Sequence, residues 1–219
     1  TLRNSSAASD VYKRQIDAAS IRGEGAIVSY VRGNIAANQG HLKAAKSYFD
    51  EAIETDPTHV RARLNRASIH MASGNAQDAL DDANVLLELA PGLALAKLRR
   101  AEANMMLTNW EAAKDDLEVI IEDAPHHHHA LTQLAACYIS MDRPEKAEAP
   151  LNEALRLAPD HTDAWHQRGL LYLDWGREEA ALNDFEAAVR CDGSHLDARL
   201  HIAATVSYTH LRAHETFAN

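Results

Sequence analysis

Cysteine is scarce in this chain. Two thiols, Cys137 and Cys191, stand among 219 residues. That is too few, and too widely spaced, for a disulfide framework. Each reads as a buried or half-buried thiol, since free cysteine is among the most buried residue types. Long apolar runs are also lacking: none approaches the 18 residues that a membrane-spanning helix needs. Positive charge is in deficit, with 22 Lys and Arg against 32 Asp and Glu, a formal net charge of −10. Binding a phosphate backbone needs clustered Lys and Arg, so no nucleic-acid partner is expected. The sequence contains no G-x-x-x-x-G-K-[ST], no G-x-G-x-x-G after a strand, no H-E-x-x-H and no C-x-x-C. Serines and histidines are present, but nothing sets a nucleophile beside its base. No enzyme activity and no cofactor are expected.

What the chain does have is a period. Pro57, Pro91, Pro125 and Pro159 recur 34 residues apart, as do Ala45, Ala79, Ala113, Ala147 and Ala181. The period divides the chain into units at 26–59, 60–93, 94–127, 128–161 and 162–195. Position 8 of each unit is small: Gly33, Ala67, Ala101, Ala135 and Gly169. A small residue there lets a first helix, A, approach a second, B. Alanine at position 20 does the same from the other side. A large residue at position 24 fills the remaining space, with Ala83 the exception. Proline at position 32 cannot continue helix B, so the chain turns. One such pair cannot bury its apolar stripe alone; stacking neighbours does it.

In the fifth unit Trp165, Gly169, Tyr172, Ala181 and Phe185 fall at the spacing W-x3-G-x2-Y…A-x3-F. This resembles the tetratricopeptide repeat. Arg168 departs from it at the usual leucine position, and Gly193 replaces the closing proline. The resemblance implies an all-α fold, a right-handed superhelical α-solenoid of helix–turn–helix repeats. Residues 16–25 are expected to end a preceding helix, and 196–206 to form helix A of a truncated sixth repeat. The strings SSAASDVYKRQ and VSYTHLRAHET break the pattern and resemble translated sequencing-adaptor read-through. We read 1–15 and 207–219 as non-native and set them outside the fold. With the native N-terminus missing, the compartment stays open between cytoplasm and periplasm.

Arginine recurs at position 7, an apolar position in such repeats: Arg32, Arg66, Arg100 and Arg168, with Leu134 the exception. Position 23 on helix B is Asp82, Asp116 and Asp184 in units two, three and five. It is Tyr48 in unit one and Pro150 in unit four. A repeated Arg–Asp clip between helices A and B is expected, because a planar guanidinium suits a half-buried carboxylate. Asp81/Asp82 and Asp115/Asp116 otherwise read as solvated faces. Pro150, inside helix B of unit four, predicts a kink. Pro144 falls in the first turn of that helix, where proline is tolerated.

The resemblance also implies a concave wall built from positions 2, 5, 9, 12 and 13 of each helix A. Unit one contributes Ile27, Tyr30, Asn34, Ala37 and Asn38; unit two, Arg61, Leu64, Ser68, Met71 and Ala72. Unit three contributes Leu95, Leu98, Glu102, Met105 and Met106; unit four, His129, Thr132, Ala136, Ile139 and Ser140. Unit five contributes Asp163, His166, Leu170, Leu173 and Asp174. The middle of this wall is apolar, which points to a groove for an apolar-faced peptide or helix. Methionines there adapt to varied ligand shapes. The carboxylate clamp of chaperone-binding relatives is matched by Asn34, Asn65 and Arg99, but Tyr30 and Leu95 stand where its lysines belong.

His126 to His129 form an internal run, and such tracts can bind metal. However, His59, His161 and His195 share the last-of-unit position with His127, which favours a turn role and no metal site. The run also bears on pH response. The expected function is a protein-interaction scaffold for a protein or peptide partner. Alternatives are the repeat portion of a bacterial envelope or exopolysaccharide assembly protein, and a regulatory segment of a larger enzyme.

Overall fold

A computed structural model describes residues 25–217, with side chains described up to Ser207. The expected segment 1–15, and residues 16–24 of the helix end expected at 16–25, lie outside the described residues, as do 218–219; Gly25 opens the first described helix. No strand occurs among the described residues. The chain divides into two compact units, Thr1–Asn109 and Trp110–Asn219.

The first unit holds α1 (Gly25–Asn38), α2 (Leu42–Thr55), α3 (Val60–Ala72), α4 (Ala76–Leu89) and α5 (Ala94–Met106). The second holds α6 (Trp110–Asp123), α7 (His128–Ser140), a 3-10 turn at Pro144–Lys146, α8 (Glu148–Leu157), α9 (Thr162–Asp174), α10 (Glu178–Cys191) and α11 (Leu196–Phe217). Within each unit consecutive helices pack together, and A helices also touch across one helix, α3 on α5 and α7 on α9.

Each B helix buries one stripe, at positions 20, 24 and 27. Ala45, Phe49 and Ala52 do so in α2; Ala79, Ala83 and Leu86 in α4; Ala113, Leu117 and Ile120 in α6. Ala147, Leu151 and Ala154 serve α8, and Ala181, Phe185 and Ala188 serve α10. The spacing of four and three residues keeps these side chains on one helical face. Volume is traded along the stripe: where position 24 shrinks to Ala83, position 27 grows to Leu86. Each A helix ends the same way, with a backbone N–H reaching back to a carbonyl five residues earlier. Asn75 N–H to His70 O is 2.8 Å, and Arg177 N–H to Tyr172 O is 2.8 Å. The residue closing that motif is left-handed. It is glycine in three repeats, but Thr108 (φ 61°) and Asp142 (φ 58°) hold the same conformation.

The expected clip is present in the second and fifth repeats. Arg66 Nε donates to Asp82 Oδ2 at 2.9 Å, and its Nη2 donates to Asp82 Oδ1. Arg168 meets Asp184 in the same fork, at 2.7 and 2.8 Å. Each arginine also reaches the preceding repeat: Arg66 Nη1 to Asp50 at 2.7 Å, and Arg168 Nη1 to Asn152 at 2.6 Å. Position 25 thus joins positions 7 and 23, and the clip becomes a staple between repeats. Asp82 and Asp184 are buried, while Asp81 stays exposed, so only one member of the Asp81/Asp82 pair is a solvated face. Asp115 and Asp116 divide in the same way.

Three expectations need correction. The kink at Pro150 takes another form. Helix B of the fourth repeat opens as a 3-10 turn at Pro144–Lys146, and the α-helix starts at Glu148. A proline ring clashes with the carbonyl four residues before it, here Lys146. Restarting the helix at Glu148 puts Pro150 in the first turn, where its missing N–H has no helical partner to lose. Secondly, Cys191 is exposed, because it is the last residue of α10 and off the buried stripe; Cys137 is buried. Thirdly, α11 runs unbroken past Val206 to Phe217. The residues beyond Val206 hold neither proline nor glycine to stop it.

Candidate functional site

In the first unit a cleft of about 410 Å³ opens beside α1 and α3. It is lined by Asn34, Ala37 and Asn38 from α1, by Asn65, Ser68 and Ile69 from α3, and by the Phe49 ring below. Asn65 Nδ2 donates to Asn34 Oδ1 at 2.7 Å across the cleft, and Ser68 Oγ donates to the Leu64 carbonyl of its own helix at 3.1 Å. Farther along, Leu95 (51% exposed) and Met106 (47%) present apolar surface from α5. Met71 and Met105 are half-buried. Arg99 is engaged by Glu102 at 2.6 Å one turn on, so its charge is already answered. Tyr30 rests against Phe49 and the His59 ring, and Leu64 is half-buried.

In the second unit a more apolar cleft of about 370 Å³ lies between α7 and α9. Ala136, Ile139 and Ser140 line it from α7, and Gln167, Leu170, Leu171 and Asp174 from α9. Pro144 closes one side. Ile139 is 37% exposed. Ala136, Ile139, Ser140, Leu170 and Asp174 are wall positions of the sequence pattern, and Gln167, Leu171 and Pro144 are not. Gln167 occupies position 6, as do Asn65 and Arg99 of the clamp match.

Some expected wall residues face elsewhere. Leu98 (7% exposed) and Thr132 (2%) are buried. The Thr132 hydroxyl donates to His128 O at 3.0 Å, which occupies it locally. His166 turns toward rings, with Phe185 at 5.8 Å, His195 at 4.8 Å and His201 at 5.3 Å between centroids. Leu173 is half-buried outside the cleft lining.

The histidines that end each repeat act as helix caps. His59 Nδ1 accepts from Ala62 N–H, His127 Nδ1 from Ala130 N–H, and His195 Nδ1 from Ala198 N–H, each at 3.1 Å. His161 instead packs edge-on against His128, with centroids 4.9 Å apart. Burial, and after it the neighbouring His128, holds His161 below the ordinary histidine value. Burial, then His195 and His201, does the same to His166. Among the described residues no group of three His, Cys, Asp or Glu stands where it could hold a metal ion. Burial pushes the Cys137 thiol up to about 11, out of the range of a reactive thiolate. No helix among the described residues is long and apolar enough to cross a membrane.

Comparison with known proteins agrees with this architecture. Models described as tetratricopeptide repeat match residues 30–94, 95–127 and 134–205. No curated protein matches the sequence. Among solved structures, TTC0263, a thermophilic TPR protein in Thermus thermophilus, is similar at 23% identity and a TM-score of 0.70. The match covers 83% of this chain and 98% of that one. YrrB, described as a TPR protein with an unusual peptide-binding site, is similar at 20% identity and a TM-score of 0.64, covering 86% and 96%. MamA is similar at 24% identity and a TM-score of 0.64, covering 74% and 94%. At these identities the likeness is one of fold.

Proposed function

The chain belongs to the tetratricopeptide repeat family, and on that premise we propose that it is an interaction scaffold whose A helices hold an apolar-faced peptide or helix. One observation carries the reading. In each unit the described cleft is lined chiefly by A-helix residues, and positions 9, 12 and 13 of the expected wall recur in both, joined by positions 6 and 10. The B helices supply the buried stripe beneath it. On α5 Leu95 and Met106 leave apolar surface in solvent, and Ile139 does so in the second cleft, as a binding surface requires. A relative of the same fold, YrrB, is described as having a peptide-binding site, which is consistent with this use of the architecture.

The test is affinity capture with the wild-type chain, with Leu95→Glu plus Met106→Glu, and with Ile139→Glu. These positions are exposed, so the charges enter water and each variant should keep the wild-type helical circular dichroism. A partner recovered by wild type and lost from either variant supports the reading. Equal recovery of every partner by all three removes it.

A further inference from the structure

The second cleft carries chemistry that names its occupant more closely. Its floor is aliphatic, from Ile139, Leu170 and Pro144. Three polar residues stand in this apolar setting: Ser140, Gln167 and Asp174. Gln167 keeps its Oε1 buried, away from a ligand. Asp174, at the end of α9, is exposed on the rim. The cations nearby in sequence are committed elsewhere: Arg143 to Glu111 at 3.3 Å, Arg177 to Glu148 at 3.6 Å, and Lys146 over the Tyr138 ring at 5.9 Å. Among the described residues no basic group pairs with Asp174. The chain as a whole carries a net charge of −10, so its field favours a positively charged partner.

We propose that this cleft binds a basic protein segment. One aliphatic side chain seats against Ile139, Leu170 and Pro144, and an adjacent Lys or Arg meets Asp174. The inference rests on the scaffold reading and narrows it to an aliphatic–basic ligand. A cleft of this volume is at the small end for ligand sites, which suits one side chain and its flanking backbone rather than a long helix.

The test is selection of random twelve-residue peptides on the intact chain, followed by fluorescence anisotropy of the retained peptides against three variants. Asp174→Lys reverses the rim charge at a helix C-terminus, where a cation is compatible with the helix dipole. Leu170→Ser removes one side of the aliphatic floor, and Ile139→Ser removes the exposed side. Peptides enriched in an aliphatic residue beside Lys or Arg are expected. Their Kd should rise about tenfold or more on Asp174→Lys, the size expected for losing a charged contact of about 1.4 kcal/mol. A peptide with its basic residue changed to Glu should recover binding to that variant. Retained peptides that ignore all three variants but are lost on Leu95→Glu plus Met106→Glu overturn this inference and leave the scaffold reading standing. Retention of no peptide by wild type overturns both.

Discussion

The ring of Phe185 occupies the space that a Cβ on Gly169 would need: a methyl built there lies 2.6 Å from the nearest ring carbon. Gly33 and Phe49 repeat the relationship in the first unit. Where position 8 is alanine within one unit, as at Ala67 and Ala135, position 24 is Ala83 or Leu151. Alanine is the better helix former by about 1 kcal/mol. Overpacking against a fully buried ring costs about 1–3 kcal/mol. Gly169→Ala is therefore expected to destabilise the second unit despite its propensity gain. Adding Phe185→Leu, which recreates the Ala135/Leu151 pairing, should recover much of the loss. Urea denaturation followed by tryptophan fluorescence checks this, because Trp110, Trp165 and Trp175 all lie in the second unit. Two losses that simply add would contradict the account.

Arg66 serves two carboxylates on two helices, and one of them, Asp82, is buried. Removing the arginine leaves Asp82 with Arg63, whose Nη1 is 3.3 Å away. Breaking such a pair costs about 3 kcal/mol, whereas replacing both partners with apolar side chains costs far less. Arg66→Met should lower the urea midpoint sharply, and Asp82→Leu should cost less on that background than alone, where it strands both Arg66 and the buried Arg63. The coupling in that double-mutant cycle is the quantity to measure. A coupling near zero would show that the fork contributes nothing.

Thr108 holds a left-handed backbone that a β-branched side chain rarely adopts. Three other repeats place glycine there. Thr108→Gly should raise stability by about 1 kcal/mol, because relief of strain exceeds the entropy glycine adds to the unfolded chain. Asp142→Gly should gain less, since aspartate tolerates this region better. Thermal unfolding reads both. A lower Tm for Thr108→Gly would be the contrary result.

His161 and His166 sit below the ordinary histidine value because burial, first, and neighbouring histidines, second, disfavour their charge. Such a group binds fewer protons folded than unfolded, so stability rises with pH through that range. The penalty is absent above the ordinary histidine value. It grows as pH falls below that value toward the depressed folded one. Between about pH 7.5 and 5.5 the tryptophan-detected urea midpoint should fall. His161→Gln with His166→Gln should flatten the fall. A midpoint that rises on acidification would reverse the assignment.

Much of this was legible in the sequence, because a 34-residue period fixes which side chains share a face. The buried stripe, the Arg–Asp fork and the small residue at position 8 all follow from that phase. The inter-repeat arm of the staple did not: position 25 carries an acceptor in every repeat, as Asp50, Asn84, Glu118, Asn152 and Glu186, but an acceptor on an outer helix face does not say which neighbour it meets. The histidine caps were visible as a recurrence but not as caps, because histidine is not among the usual N-cap residues. Leu98 and Thr132 occupy wall positions yet are buried. Periodicity gives the direction of a side chain, but it does not say how closely the neighbouring helix covers it. Gln167 lies outside the expected wall because position 6 enters the sequence pattern only through the clamp match at Asn65 and Arg99, and not as a lining position.

Amide hydrogen exchange of the chain with and without a captured partner or selected peptide tests the central claim most directly. Added protection is expected to concentrate in A helices, in α1, α3 and α5 of the first unit or α7 and α9 of the second. The B helices α2, α4, α8 and α10 should stay near their unbound rates. Protection centred on the B helices, with the A helices unchanged, would contradict it.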